Sequence, residues 1–366
     1  MRKKLCLLIA FCMMFSIFTV KSFATTTAMA DKSLYIVSDS VSEDVISYAK
    51  EEKNNVFLSL EDTIPDEINQ LNKGALLSYG TAFKLNEIDY IPIISDGKIL
   101  ALLAISETDG VYGWTLSESF SPELNNIAAF TSIDAPAKLY IKKGNIYADI
   151  SENTYPLTSH PEMPTIDDPE ELERMSQTNI IDVLKVNGDV ESKVSDIFYE
   201  SRATYKKFIK LDLKEQQGEQ TWCSAFAGAQ ILRARKKGEI KAEHIMKYFY
   251  PQVGSEALKQ KSINHAQLME YANTKNSTPT RKEGVLSMRS VKKQINAKKP
   301  IYLGCYGSGK YQKARHALVL RGYNANSKAY SVWNPWNPKY VTMSASNKNI
   351  TVEGGSFTWD VSIYNW

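Results

Sequence analysis

Between Trp222 and Ile363 the apolar pattern changes character once, and that change restricts the fold more than any other feature of the chain. Residues Trp222 to Lys237 carry Phe226, Ala229, Ile231 and Leu232 at helical spacing, and Gly238 follows as a stop. Ala242 to Tyr250, Asn264 to Thr274 and Arg289 to Asn296 also read as helices. The spacing then turns to strands at Ile301 to Cys305, Ala317 to Gly322, Ala329 to Trp333, Tyr340 to Met343 and Phe357 to Ile363. Helices first and strands afterwards predict an α+β layout whose sheet is built by the second half.

The residues before this block predict a second α+β unit. Asp44 to Lys53 reads as a short polar helix. Ala75 to Phe83, Tyr90 to Ile94, Ile99 to Ile105 and Val111 to Leu116 read as an antiparallel sheet, with Pro92 sending its strand to an edge. Leu139 to Ile141 and Ile146 to Ala148 flank Lys143-Gly144-Asn145, a hairpin signal. Pro156 to Pro169 reads as an acidic linker. A chain of 366 residues has room for two such units, each with its own core.

Charge divides along the same line. Residues 31–205 hold 31 acidic and 13 basic side chains, net −18, and residues 206–366 hold 27 basic and 10 acidic, net +17. Opposed blocks of similar size predict two parts that attract each other. The basic charges are scattered, apart from the cluster Arg233, Arg235, Lys236 and Lys237, so no nucleic-acid partner is expected. Ahead of both blocks, Arg2, Lys3 and Lys4 precede the apolar run Leu5 to Val20, and Ala28-Met29-Ala30 offers a signal-peptidase site. The run of 16 residues is short for a span of roughly 20, so residues 1–30 read as a signal peptide of an exported protein without a stable membrane anchor.

Removing that leader leaves Cys223 and Cys305. Cys223 opens a helix, where the peptide dipoles favour thiolate over thiol, and a thiolate is the nucleophile of acyl transfer. A buried structural thiol, or a Cys223–Cys305 disulfide, is the plainer alternative. Three further residues favour chemistry. His316 opens a strand, Asn334 ends the next, and adjacent strands can bring imidazole and amide together, the amide oxygen orienting the ring without adding charge. Gln217, six residues before Cys223, can aim an amide N–H at an oxyanion beside the Cys223 backbone N–H.

The order Gln, Cys at a helix start, His, then Asn-x-Trp resembles the papain-like cysteine peptidases, and within them the staphopains, secreted bacterial members. The stretches that carry the resemblance are Glu215-Gln-Gln-Gly-Glu-Gln-Thr-Trp-Cys223, His244-Ile-Met246, Tyr250-Pro-Gln-Val253, Glu283-Gly-Val285, His316-Ala-Leu318 and Trp333-Asn-Pro-Trp336. The resemblance implies Cys223 as nucleophile, His316 as acid/base, Asn334 as its orienter, Gln217 as oxyanion donor and Trp336 as the indole that shields the His–Asn contact. It implies a signal peptide (1–30), an acidic, half-barrel-like inhibitory propeptide (31–200) and a basic papain-like peptidase domain (201–366). The product would be a secreted, monomeric endopeptidase that needs no cofactor or metal, acts on polypeptides, and is inhibited by its own propeptide and by any dedicated protein inhibitor. The segment from about Asp196 to Lys207 is the expected site of processing.

The chain also departs from the larger enzymes of that clan. Trp222 precedes Cys223 and Ser224 follows it, and His316 lies 93 residues after Cys223, against about 130–150 in the plant and lysosomal forms. Two other classes fit less well. A transglutaminase-type site uses Asp where Asn334 stands, a cell-wall amidase would often carry a glycan-binding repeat, and a non-catalytic secreted binding protein has no need of the full residue set. His160 reads as solvated in the acidic linker, and His244 and His265 as helix residues, with no zinc spacing among them. Gly304 to Lys310 has the spacing of a phosphate loop but is followed by Tyr311, where Ser or Thr would be needed, so no nucleotide is expected.

Overall fold

The computed structural model describes residues 33–108, 110–160, 183–194, 197, 205–308 and 311–366. The leader, residues 161–169 of the linker and most of the expected processing stretch lie outside these residues. The first part contains β1 (Leu34–Val37), α1 (Glu43–Thr63), α2 (Pro65–Gln70), β2 (Leu76–Gly80), β3 (Phe83–Leu85), β4 (Ile88–Ser95), β5 (Lys98–Thr108), β6 (Val111–Ser117), α3 (Ser121–Ile127), β7 (Ala137–Lys142), β8 (Asn145–Ile150), β9 (Asn153–Pro156), β10 (Val183–Val186) and β11 (Gly188–Lys193). The second contains β12 (Lys206–Phe208), α4 (Cys223–Ala234), α5 (Ala242–Phe249), α6 (Ser255–Lys259), α7 (His265–Thr274), β13 (Thr280–Glu283), α8 (Met288–Asn296), β14 (Ile301–Gly307), β15 (Arg315–Asn324), β16 (Ala329–Trp333), β17 (Tyr340–Ser344), β18 (Asn349–Val352) and β19 (Gly355–Tyr364). The fold is mixed α and β with large antiparallel sheets, and its second half runs helices first, strands after.

The two parts share a sheet. Its strand order among the described residues is β11-β2-β4-β5-β6-β17-β16-β15-β14-β19-β13, with β3, β12 and β18 paired alongside. The join is β6 to β17, where Thr342 faces Leu116 and Met343 faces Thr115. Polar side chains reinforce it. The Thr63 and Thr342 hydroxyls meet at 2.7 Å in a buried position, and Thr115 Oγ1 accepts the Thr351 N–H at 3.1 Å. At Gly113 a Cβ would come within 2.2 Å of the Asn347 side chain, so glycine is what allows the close approach. A smaller sheet of order β10-β1-β7-β8-β9 stands apart in the first region, its β7–β8 hairpin turning through Lys143 and Gly144, both at positive φ.

Apolar burial follows the same joint. α1 lays Val56, Phe57 and Leu60 against Leu103, Trp114 and Leu116, and Ala329 of β16 joins that cluster. Burying a side chain such as Phe57 contributes about 1.5–3 kcal/mol, so this cluster chiefly holds α1 on the first region's sheet, with Ala329 its one buried contribution from the second. In the second region, one face of the sheet packs Tyr302, Val319 and Trp333 against α4, α5 and α7. The other face gathers Leu303, Cys305, Leu318, Trp336 and Phe357.

Pro92 does not mark an edge. β4 lies between β2 and β5, and Pro92 opposes Leu102 of β5. On its other side, β2 pairs only as far as Ile93 and β3 begins pairing at Tyr90. Proline therefore stands where the partner strands change over and no ladder N–H is required.

Candidate active site

α4 carries Cys223 as its first residue. Trp222 precedes it as N-cap and makes no side-chain capping hydrogen bond. Trp222 is pinned instead by its indole, whose Nε1 donates to the Leu258 carbonyl at 2.8 Å. Gly228 lets the next turns press on α7, since a Cβ there would meet Leu268 Cδ1 at 2.3 Å. Ser224 and Tyr302 join hydroxyls at 2.9 Å, fixing the helix start to β14.

The strands supply the other groups. His316 is the second residue of β15, and Asn334 follows the end of β16, as the spacing predicts. His316 Nε2 lies 2.8 Å from Asn334 Oδ1, and both residues are buried. The same Oδ1 accepts the Trp336 backbone N–H at 3.2 Å. A backbone N–H can only donate, so this contact identifies the amide atom as oxygen. Oxygen there can only accept, so Nε2 carries the proton and Nδ1 keeps the lone pair. The Trp336 ring stacks on His316 with centroids 3.9 Å apart, and Phe357 lies 5.3 Å from the imidazole.

Cys223 reaches this group across the seam between α4 and β15. Its sulfur faces the backbone N–H groups of Ser224 and of Ala317, the residue after His316. The residue is half-buried, yet crowding around the sulfur pushes the thiol up from its usual value, with those N–H groups opposing the shift. Burial likewise pushes His316 down to about 3, and the Asn334 contact opposes it. Both partners are held neutral in this form, whereas a helix start taken alone predicts a thiolate. Cys305, free and buried, sits on β14 directly opposite His316 in register.

Gln217 is buried in the turn leading to α4. That turn is tied to the Asn334 loop, because the Gln217 N–H donates to the Pro335 carbonyl at 2.8 Å and Gln216 Nε2 donates to the Trp336 carbonyl at 2.5 Å. Gln217 Nε2 donates to the Gln220 carbonyl at 2.5 Å, and its amide has a second N–H to offer. Among the described residues no three His, Cys, Asp or Glu side chains converge as a metal site. Gly304 to Gly307 is part of strand β14 rather than a phosphate loop.

A family described as staphopain peptidase C47 matches residues 201–366. Residues 201–366 are thus similar to the staphopain peptidases. Staphopain A of Staphylococcus aureus (strain MRSA252) is 21% identical over 364 residues, covering 86% of this chain and 91% of the relative. Staphopain B of Staphylococcus aureus (strain MSSA476) is 23% identical over 312 residues, covering 78% of this chain and 77% of the relative. The similarity to staphopains thus runs through the first region as well as the peptidase domain. The chain is a cysteine-type endopeptidase, a thiol protease that hydrolyses polypeptides. No described helix is long and apolar enough to cross a membrane.

Two residues near the site carried no usable sequence signal. Phe357 was legible only as a strand residue. His160, which reads as solvated from the acidic stretch around it, is buried, with its ring stacked on Trp336 at 4.4 Å. Its position depends on a hairpin far from Trp336 in sequence, and local composition does not report such a contact.

Proposed function

We propose that Cys223 is the nucleophile of this endopeptidase, with His316 as acid/base and Asn334 as its orienter. His316 Nδ1 takes the thiol proton, and the sulfur attacks the scissile carbonyl carbon. The oxyanion is held by the Cys223 backbone N–H and the Gln217 amide. His316 then gives its proton to the leaving amine as the C–N bond breaks. Water, deprotonated by His316, attacks the thioester, and the thiol re-forms with the proton that His316 returns. Trp336 keeps water from the His316–Asn334 bond. The observation that carries this reading is the 2.8 Å contact from His316 Nε2 to an amide oxygen, with the Cys223 sulfur against the residue next to His316.

The enzyme is made, on this reading, as a secreted zymogen. Residues 1–30 are the signal and residues 31–200 an acidic, half-barrel-like propeptide that inhibits residues 201–366 until the chain is cut between about Asp196 and Lys207. The shared sheet supports a propeptide built into the fold rather than tethered to it. The active form is a monomer without cofactor. The test is hydrolysis of an unfolded protein by the processed enzyme. Cys223→Ala should abolish turnover with the melting transition intact, and Cys305→Ser should keep it. Substantial turnover by Cys223→Ala, or loss of activity in Cys305→Ser with a Cys223–Cys305 bond in non-reducing mass spectra of the unsubstituted enzyme, overturns the assignment.

A further inference from the structure

Three aromatic rings are stacked at the site, and one of them comes from the first region. Trp336 lies between His316, 3.9 Å away at 24°, and His160, 4.4 Å away at 7°. All three side chains are buried, His160 being 9% exposed, Trp336 4% and His316 3%. The indole therefore meets solvent on neither face. Nothing in the catalytic chemistry above uses His160.

The arm that delivers His160 is held at several points. After β9, the Leu157 N–H donates to the Ile146 carbonyl at 2.8 Å, and the Ile146 N–H donates to Thr158 Oγ1 at 2.8 Å. Asn145 then clamps the backbone of His160 twice. Its Oδ1 accepts the His160 N–H at 2.9 Å, and its Nδ2 donates to the His160 carbonyl at 3.0 Å. Asn145 is itself buried, so both bonds are shielded from water and are costly to break. A ring fixed at its backbone in this way is a set part of the surface that covers Trp336.

We infer that His160 is the latch of the uncleaved chain: its ring clamps the Trp336 indole over His316, and the pair Cys223/His316 stays dry and inert until the segment carrying His160 leaves. The inference rests on the catalytic roles proposed above and adds how they are held off. A thiolate–imidazolium pair needs charge to be tolerated at both partners, and a site closed by stacked rings opposes both charges. The downward displacement of His316 agrees with this, burial being its largest cause. Once His160 departs, the indole face it covers opens to water, and part of the burial that holds the imidazole neutral is relieved. His160 thus acts through Trp336 and is an inhibitory positioning residue.

The test is the rate at which iodoacetamide alkylates Cys223 in the uncleaved chain, followed by mass mapping, with buried Cys305 as the internal control for general loosening. His160→Ala should raise the Cys223 rate at least about tenfold, leaving Cys305 unlabelled, since the barrier lost is worth ~1.4 kcal/mol or more. His160→Phe, which keeps a planar ring, should stay near the unsubstituted rate. Asn145→Ala, which frees the arm, should fall between. Alkylation of His160→Ala at the unsubstituted rate overturns the latch, as does equal acceleration at Cys223 and Cys305. If His160→Ala does not fold, His160→Leu decides: it fills the space without a stacking face and should also be labelled faster, and an unchanged rate overturns the inference. A processed enzyme whose Cys223 resists alkylation would instead defeat the catalytic reading.

Discussion

The two regions are built from the same materials, strands with a few helices around apolar cores, yet polar side chains are used differently in each. In the first region the buried polar groups mostly brace the fold. The Trp114 Nε1 donates to Glu52 at 3.0 Å, Asn125 bonds both backbone groups of Ile99, and Asn145 holds His160. In the second region, Cys223, His316 and Asn334 stand at element ends along the seam between a helical layer and a sheet, and Gln217 lies in the turn leading to α4. A seam has two walls that can be positioned independently, so a nucleophile on a helix can face a base on a strand. On the function proposed above, the chemistry of this chain belongs to the second region and the first supplies a cover.

The largest effect that would sharpen the contrast lies inside the seam. Gln217→Ala should lower kcat by roughly 10²–10³ with a smaller change in KM, because an oxyanion donor acts mainly in the transition state. Steady-state kinetics on the processed enzyme decide it. A raised KM with kcat unchanged would assign Gln217 to substrate binding.

Next comes the joint. Gly113→Val puts a branched side chain where a Cβ alone would lie 2.2 Å from Asn347. The isolated first region carrying this change should inhibit the processed enzyme in trans about tenfold or more weakly, an overpacking cost of about 1–3 kcal/mol. Equal inhibition by both forms would show that the β6–β17 pairing is incidental to the grip.

A smaller effect follows from His316. Burial depresses its pKa from an ordinary 6.5 to about 3, so between those values an open form takes up a proton that the closed form refuses. The closed form therefore keeps its full stability above about pH 6.5 and loses it as the pH falls toward 3. Glu353, pushed up by burial, works in the opposite sense and favours the closed form in acid. In uncleaved Cys223→Ala chain, the melting temperature should fall between pH 7 and 4.5, and His316→Gln should reduce that fall by about a few °C. An identical fall in both variants would remove His316 from the account.

Much of this was legible in the residues. The Trp222 to Lys237 periodicity anticipates α4, and Cys223, His316 and Asn334 stand at the element ends where the pattern put them. Site residues at element ends are readable because the periodicity stops there. The β6–β17 pairing was not readable, since two edges far apart in sequence share no local signature. Strand β13, Thr280–Glu283, is exposed throughout and carries no alternation to detect. The opposed charges of the two blocks meet at the joint as ion pairs. Across the joint, Lys206 meets Glu61 and Asp62, and Lys339 meets Glu118 and Glu67, all partly exposed except Asp62. Pairs of that kind contribute about 0–1 kcal/mol each. The smallest predicted effect is accordingly that of salt. Trans inhibition should weaken by less than about tenfold between low ionic strength and 0.5 M, because packing and backbone pairing are not screened. A fall of several hundredfold would restore long-range attraction as the main hold.

The most direct measurement is active-site titration of the processed enzyme with an epoxide thiol inhibitor, followed by intact mass and peptide mapping. One inhibitor per chain, located on Cys223 and accumulating in step with lost turnover, is the predicted result. Label on Cys305, or full turnover in chains labelled at Cys223, would contradict the account.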